Sequence, residues 1–199
     1  MPIRAVLFDI GGAVDLEFAW EMAVDGAIAA ACGMEGIRVD PASLEEASDR
    51  AVEAFAHDTY AHMIESLCGG EPVSIARVTQ RVRAMTGALD AFQLRPGMAD
   101  HLRKLRKLGL VPVAVNGKVE RPELAGLFES TTDVPPQDCV FVGDRLDKDI
   151  APAKARGMAT IQFRSGRWRK QRPRNEAETP DAVVTDVREL EEAILRLMN

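Results

Sequence analysis

Short apolar segments that do not alternate with polar residues are the feature that most limits how this chain can fold. Four are clear and a fifth is weaker: residues 5–8, 111–115, 139–142, 159–163 and, least marked, 182–184. Continuous apolar runs are typical of strands that are buried on both faces of a parallel sheet. Because parallel strands need long crossover connections, the pattern predicts an α/β protein with helices packed on the sheet.

Helical periodicity lies between the later strands. Apolar residues recur at helical spacing from Met98 to Leu108, and Gly109 is expected to end that helix. A second helical pattern runs over residues 187–197, where Asp186 and Glu189 form a capping signal. Strands and helices therefore alternate from residue 97 onwards.

Residues 16–92 have a different character. They are rich in alanine, contain no lysine and show no clear strand. Ser43 with Glu46 predicts a capping box at the start of a long helix, and the sequence GGEP at 69–72 breaks the helical region before another helix that runs to about Gly87. We therefore predict a helical module, residues 16–92, inserted into a core made of residues 1–15 and 93–199.

Length and charge narrow the class of protein. A chain of 199 residues has room for one domain, or for one domain with a sizeable insertion. The net charge of −6 argues against a whole-surface nucleic-acid binder. The sequence has no run of about 20 apolar residues, no recognisable signal peptide and three scattered cysteines that suit reduced thiols. We expect a cytoplasmic protein with no nucleic-acid or membrane partner.

Two of the strands end in acidic residues with glycines nearby. The first continues into Asp9 and the sequence IGGAV, and the other continues into GDRLDKD, which carries Asp144, Asp147 and Asp149. Ligands bind at the carboxyl ends of parallel strands, and glycines let backbone amides approach an anion. Asp144 and Asp149 can converge on a hard cation, whereas Asp147 could cap the next helix. Either motif alone also fits a glycine turn with a capping acid, but two in one sheet favour a site.

Taken together, these motifs resemble the haloacid dehalogenase-like (HAD) hydrolase superfamily. The sequence FDIGGAV resembles the first motif of that family, and GDRLDKD followed by IAPAKARGM resembles the last. The run LRPGMADHLRKLRKLGLVPVAVNG resembles the return from cap to core and the second motif. The resemblance covers nearly the whole chain. It implies a Rossmann-like parallel sheet core interrupted by an inserted α-helical cap of the C1 type.

The resemblance also implies a chemistry. Asp9 would be a nucleophile that attacks phosphorus and forms an aspartyl-phosphate, which water then hydrolyses. Mg²⁺ would lie between Asp9, the Gly11 carbonyl and Asp144, with Asp149 binding it directly or one layer further out. The implied function is a Mg²⁺-dependent phosphatase acting on a small phosphorylated metabolite. The alternatives are a catalytically weakened or inactive binding protein, and a dehalogenase-like enzyme that uses Asp9 on carbon.

Some positions depart from the family pattern. Gly11 stands where related phosphatases carry a second aspartate as general acid and base, and Val115 stands where they carry Ser or Thr. Asn116 and Gly117 do match and are candidate phosphate-binding residues. For the phosphate-binding lysine of the family, the best match is Arg121, which is followed by proline, and the alternative is Lys118.

The connection between the second and third strands is too short for the helix, edge strand and second helix that the family has there. One strand–helix unit is therefore predicted to be lost. Pro112 supports this prediction, because proline lacks an N–H and is found largely on edge strands. We predict a five-stranded sheet with residues 111–115 at one edge. An exposed edge can recruit a second copy, so the protein is expected to be a monomer or a homodimer.

Two further segments carry weaker signals. Residues 164–174 are dense in arginine and are predicted to form a solvated loop, with contact to an anionic ligand or partner as the alternative. His57 and His62 lie five residues apart in a helical region, so they do not share a helix face and no metal site is expected there.

Overall fold

The computed structural model describes residues 3–115 and 120–198. The chain divides into two compact units. One contains the residues up to Leu16 and those from Gln93 onwards, and the other contains Glu17–Phe92. Within the described ranges, no helix combines the length and the apolar character that crossing a bilayer requires.

The second unit is built from helices. They are α1 (Phe18–Met34), α2 (Pro41–Glu53), α3 (Thr59–Leu67) and α4 (Pro72–Thr86). Its core is aliphatic. Each helix contributes at least one fully buried side chain to it: Ile28, Ala51, Met63 and Val78, respectively. The low aromatic content of the chain is thus matched by small and aliphatic side chains that pack closely.

The start of α2 differs from the predicted one. Asp40 caps the helix, because its carboxylate accepts a hydrogen bond from Ser43 N at 2.8 Å while Ser43 Oγ accepts one from Asp40 N at 3.0 Å. The prediction that Ser43 caps this helix was therefore wrong by three residues. Pro41 explains the shift, since proline is favoured at the first helical position and the preceding residue then serves as the cap.

The other unit contains one parallel sheet. Its strands are β1 (Ala5–Phe8), β2 (Val111–Ala114), β3 (Cys139–Gly143), β4 (Ala159–Phe163) and β5 (Ala182–Val184), in the spatial order β2-β1-β3-β4-β5. Every pair is parallel. Most residues of β1 and β3 are buried, which explains their apolar sequence, while Leu7 in β1 is partly buried. The predicted α/β class, with a five-stranded parallel sheet and a helical insertion, is confirmed.

The predicted edge position of β2 is also confirmed. On the outer side of β2, Glu129 is the single described residue that pairs with it: Glu129 N donates to Pro112 O at 2.9 Å, and Ala114 N donates to Glu129 O at 3.4 Å, in an isolated bridge. The described part of the connection, residues 120–138, otherwise contains two short 3-10 turns, Pro122–Leu124 and Pro136–Asp138. The outer strand is thus reduced to a single bridging residue rather than removed outright.

In the described residues of the sheet unit, three α-helices are present: α5 (Met98–Lys107), the short α6 (Ala151–Lys154) and α7 (Val187–Leu197). Helix α5 is followed by Gly109 at φ 80°, as predicted. Asp186 caps α7 by accepting a hydrogen bond from Arg188 N at 2.8 Å. The carboxylate of Glu189 accepts from Thr185 N at 2.7 Å, and backbone hydrogen bonds from Thr185 and Asp186 are among the causes that lower its pKa, in line with the predicted capping signal.

Candidate metal and active site

Asp9 and Asp144 lie at the carboxyl ends of the neighbouring strands β1 and β3. Phe8 pairs with Val142 across these strands, and Asp9 N donates to Val142 O at 2.9 Å, which extends the ladder by one residue. Asp149 reaches the same edge from the turn after β3. One carboxylate oxygen of each residue lies within 4.8 Å of the others. Among the described residues, this is the single group of three or more acids, cysteines or histidines so arranged.

The loop after β1 is a wide turn. It spans Ile10–Val14 and is closed by a hydrogen bond from Asp15 N to Ile10 O at 2.8 Å. Gly12 has φ 66°, and a Cβ built on it would lie 2.1 Å from Asp144 Oδ2. Glycine is therefore needed here both for the left-handed backbone and for the close approach of the Asp144 carboxylate. Gly11 lies in the same turn, and its carbonyl remains a predicted metal ligand.

Two residues that the sequence reasoning missed hold this loop. Arg95 donates from Nε to Ala13 O at 3.0 Å and from a terminal nitrogen to Ser165 Oγ at 3.0 Å. Ser165 Oγ in turn donates to Gly12 O at 2.7 Å. The guanidinium of Arg95 also stacks over the Phe163 ring, 4.5 Å from its centre. The arginine just before α5 and the serine just after β4 thus fix the backbone next to Asp9.

The loop after β3 presents Asp149. Arg145 N donates to Asp149 Oδ2 at 2.8 Å, and Gly143 admits the Asp149 side chain, because a Cβ at Gly143 would lie 2.5 Å from Asp149 Cβ. Two backbone features of the GD motif therefore position the third carboxylate of the cluster.

Asp147 does not cap a helix, so that prediction was wrong. Its carboxylate pairs with the buried Arg145 at 2.7 Å and also accepts from Gln171 Nε2 at 3.4 Å. Burial raises the pKa of Asp147, but the hydrogen bond and the charge of Arg145 outweigh it, and the net pKa lies below its usual value. Because the Asp147 carboxylate forms an ion pair with Arg145, it is not available to cap the following helix.

The arginine-rich segment is partly packed against this loop. Arg145 lies over the ring of Trp168, 3.9 Å from its centre. Arg167 and Trp168 are buried in a 3-10 turn, and Gln171 is 1% exposed and accepts a hydrogen bond from Leu146 N at 2.8 Å. The prediction of a fully solvated loop over residues 164–174 was therefore wrong in its middle part, where packing on Arg145 orders the chain.

The acid cluster is poorly hydrated. Asp9 and Asp144 are 8% and 4% exposed. Burial raises the pKa of Asp149 to about 6, against the opposing effect of the hydrogen bond from Arg145 N. Burying three carboxylates together is costly unless a cation compensates their charge. An all-oxygen donor set of this kind suits a hard divalent ion such as Mg²⁺.

Most of the remaining predicted site residues lie outside the described part of the chain. Asn116, Gly117 and the alternative Lys118 fall outside the described residues. Val115 continues the ladder through a hydrogen bond from its N to Phe8 O at 3.0 Å, and its side chain is 48% exposed. Arg121 precedes the turn Pro122–Leu124, and its role toward phosphate stays a prediction.

Comparison with known proteins agrees with this architecture. A family model described as HAD-hydrolase-like matches residues 107–190. A glyceraldehyde 3-phosphate phosphatase from Methanopyrus kandleri is 35% identical over 102 residues, which cover 47% of this chain and 44% of that protein. The chain spans less than half the length of the curated relatives it matches.

Solved structures share the fold over almost the whole chain. A predicted phosphoglycolate phosphatase from Haemophilus somnus superposes with a TM-score of 0.67 at 15% identity, covering 96% of this chain and 97% of that one. A HAD-hydrolase from Bacillus subtilis bound to magnesium gives a TM-score of 0.67 at 15% identity, covering 98% and 99%. At this identity the likeness is one of fold. Together with the family model that matches residues 107–190, this likeness shows that the chain has the fold of the haloacid dehalogenase-like hydrolases and agrees with the resemblance to that superfamily in the sequence.

Proposed function

We propose that this protein is a Mg²⁺-dependent phosphomonoesterase of small phosphorylated metabolites, with Asp9 as its nucleophile. One observation carries the proposal: Asp9 shares a 4.8 Å cluster with Asp144 and Asp149 at the carboxyl edge of the sheet. Asp9 directly follows β1, so the ladder holds its backbone next to Asp144 at the edge of the sheet. The curated relatives are named as phosphatases, and a structural relative is bound to magnesium, which supports this reading.

In the proposed reaction, a carboxylate oxygen of Asp9 attacks phosphorus in line and displaces the alcohol. Water then attacks the aspartyl-phosphate, which releases phosphate and restores the carboxylate. Asp9, Asp144, Asp149 and the Gly11 carbonyl would hold Mg²⁺, whose charge lets the anionic carboxylate approach the anionic ester. Arg95 and Ser165 keep the loop next to Asp9 in place through the Ala13 and Gly12 carbonyls.

Neither Gly11 nor Asp15, the acid nearest to it in the sequence, offers an obvious proton donor for the leaving alcohol. Gly11 has no side chain to offer, and Asp15 is 2% exposed with its carboxylate accepting from Gln93 N at 2.9 Å. Without general acid catalysis, the rate is lower by about 10²–10⁴-fold for leaving groups that need a proton. We therefore expect aryl phosphates, which leave as weakly basic phenolates, to be turned over much faster than alkyl phosphates.

The test is turnover of 4-nitrophenyl phosphate with and without Mg²⁺. We expect Mg²⁺-dependent release of nitrophenolate that falls to background in Asp9→Asn. Asp181→Asn is the matched control. It makes the same change in a carboxylate that accepts from Thr160 N at 2.8 Å, near the start of β4, whereas Asp9 lies at the carboxyl ends of the strands. This control should keep wild-type turnover.

Other outcomes decide between the alternatives. Turnover that survives in Asp9→Asn would overturn the assigned nucleophile. Mg²⁺ binding without turnover of any ester in a phosphate panel would favour a binding protein that has lost catalysis, as Gly11 and Val115 suggest. Chloride release from a 2-haloacid would establish dehalogenase-like chemistry at Asp9 instead.

A further inference from the structure

A groove extends from the acid cluster along one face of the sheet. Its volume is about 610 Å³, within the range of about 300–1,000 Å³ that is typical of pockets for drug-sized ligands. Asp9 and Asp149 line one end of it. Its floor and walls are largely apolar and include Leu7, Phe141 and Met158.

The groove follows from the shortened connection between β2 and β3. Leu7 pairs with Phe141 across β1 and β3, so both side chains lie on the same face of the sheet. In its described part, residues 120–138, the connection contains 3-10 turns and no α-helix that could cover this face. Phe128 packs instead against Phe8, at a ring separation of 5.7 Å, and Phe8 belongs to the opposite face.

The two ends of the groove differ in chemistry. Asp149 lies at the carboxyl edge of the sheet, and the chain then runs through α6 towards the other edge, where β4 begins at Ala159. Arg156 and Met158 therefore mark the far end. Arg156 is exposed, and its described hydrogen bond is to a neutral acceptor, Pro152 O, at 3.0 Å. Arg145 and Lys148 also line the groove and are close to Asp149 in the sequence. The carboxylates are therefore at the end that also carries these two cations, whereas Arg156 is the charged group at the far end.

We propose that this groove holds the organic part of the substrate, which is a phosphate monoester with an extended apolar body and a second acidic group. The proposal rests on the proposed function, because the phosphate would occupy the end formed by Asp9 and Asp149. The apolar body of the substrate covers the apolar floor of the groove and removes it from water, which stabilises the complex. Its acidic group forms an ion pair with Arg156. A three-carbon polar ester would fill only the phosphate end and leave the half-buried Leu7 and Met158 uncovered.

The experiment compares non-hydrolysable phosphonates by calorimetry in the presence of Mg²⁺. The probes are propylphosphonate, 3-phenylpropylphosphonate and 3-(4-carboxyphenyl)propylphosphonate, which share the same head group and linker. We expect the phenyl ring to tighten binding at least about tenfold. We expect the carboxyl group to tighten it several-fold more, and this last gain should vanish in Arg156→Gln.

Two tryptophan variants locate the effect. Met158→Trp narrows the groove and should abolish most of the phenyl gain. Val183→Trp adds the same bulk to a strand residue that is 43% exposed on β5, away from the groove, and should leave the ratio of the dissociation constants unchanged. Circular dichroism and thermal melting confirm that each variant is folded before its ratio is interpreted.

The inference is overturned if propylphosphonate and 3-phenylpropylphosphonate bind with equal affinity, or if Met158→Trp keeps the full phenyl gain. Because this experiment reads affinity, it is independent of the turnover assay. Turnover of 4-nitrophenyl phosphate without a phenyl gain leaves the proposed phosphatase standing and removes the groove as its substrate pocket. A phenyl gain without turnover of any ester would keep the groove as a binding site and remove the proposed activity.

Discussion

Gly12→Ala tests whether the glycine of the first loop exists to admit the Asp144 carboxylate. Gly12 has φ 66°, where a residue with a Cβ is strained by about 1–2 kcal/mol. The added Cβ would also lie 2.1 Å from Asp144 Oδ2 and 2.5 Å from Asp144 Cγ, well inside the separation at which a Cβ is normally found. Either the loop that contains Gly12 or the Asp144 side chain must therefore change its position substantially.

The clash can be relieved in two ways, and each has its own signature. If Asp144 keeps its position, the loop is forced outward, and overpacking of this kind costs about 1–3 kcal/mol beyond the backbone strain. If Asp144 turns away, much of that cost is avoided, but the acid cluster loses one of its three carboxylates. In that case we expect the affinity for Mg²⁺ to fall by at least about tenfold.

Gly109→Ala is the matched control. Gly109 has φ 80°, lies in the same unit and has nothing within 4 Å of a built Cβ, so it reports the backbone strain alone. The assays are urea denaturation for the free energy of unfolding and calorimetric titration with Mg²⁺. We expect Gly12→Ala to lose about 1–3 kcal/mol more stability than Gly109→Ala, or to lose Mg²⁺ affinity, or both. Equal unfolding free energies for the two variants, together with wild-type Mg²⁺ affinity in Gly12→Ala, would refute the reasoning.

Two further predictions concern residues behind the site. Burial lowers the pKa of His101 from 6.5 to about 4. Between these two pH values the imidazole is protonated in the unfolded chain but neutral in the folded protein. The free energy of unfolding should therefore fall by about 3 kcal/mol as the pH drops from 6.5 to 4. Urea denaturation at pH 7.5 and 4.5 should show a smaller loss in His101→Leu than in wild type or in the exposed control His57→Leu; an unchanged loss would contradict this. A double-mutant cycle of Arg145→Met with Trp168→Leu should give a coupling of about 0.5–2 kcal/mol in unfolding free energy, and additive effects would argue against the stacking contact.

The strands and the acids that follow them could be predicted because their signals are local. Four of the strands are continuous apolar runs, a pattern typical of a parallel sheet, and in β4 only Thr160 and Gln162 interrupt the apolar residues. Asp9 and Asp144 come directly after such runs, so parallel pairing alone brings them to one edge. Asp149 could be added because its spacing from Asp144 allows the chain to turn back, as the hydrogen bond from Arg145 N now shows.

The residues that were missed depend on packing between distant segments. Arg95 reaches the first loop from just before α5, and Ser165 reaches the same loop from beyond β4. No spacing in the sequence links these positions. Trp168 is similar, because its partner Arg145 lies in a different loop and the surrounding run of arginines suggests a solvated segment. A cation over an aromatic ring can bury such a segment without any apolar periodicity.

The incorrect helix cap has a different origin. Both Asp40 and Ser43 are good capping residues, so residue preference alone does not choose between them. The choice comes from Pro41, whose fixed φ suits the first helical position and whose missing N–H is not needed there. The prediction that Asp147 caps a helix was wrong for a related reason. An acid near a helix start is a typical cap, but here the carboxylate pairs with the buried guanidinium of Arg145 instead.

The short connection after β2 links several features that look separate in the sequence. With the outer strand reduced to the single bridge at Glu129, Pro112 can lie in β2 because most of that edge needs no N–H donor. The same shortening leaves the described part of the connection without an α-helix over this face of the sheet, where the half-buried Leu7 and Met158 line the groove beside Asp9. Covering such surface stabilises a complex by about 25 cal/mol for each Å² removed from water. If a helix covered this surface, a ligand could not contact it. The proposed apolar body of the substrate therefore binds surface that is accessible because the connection after β2 is short.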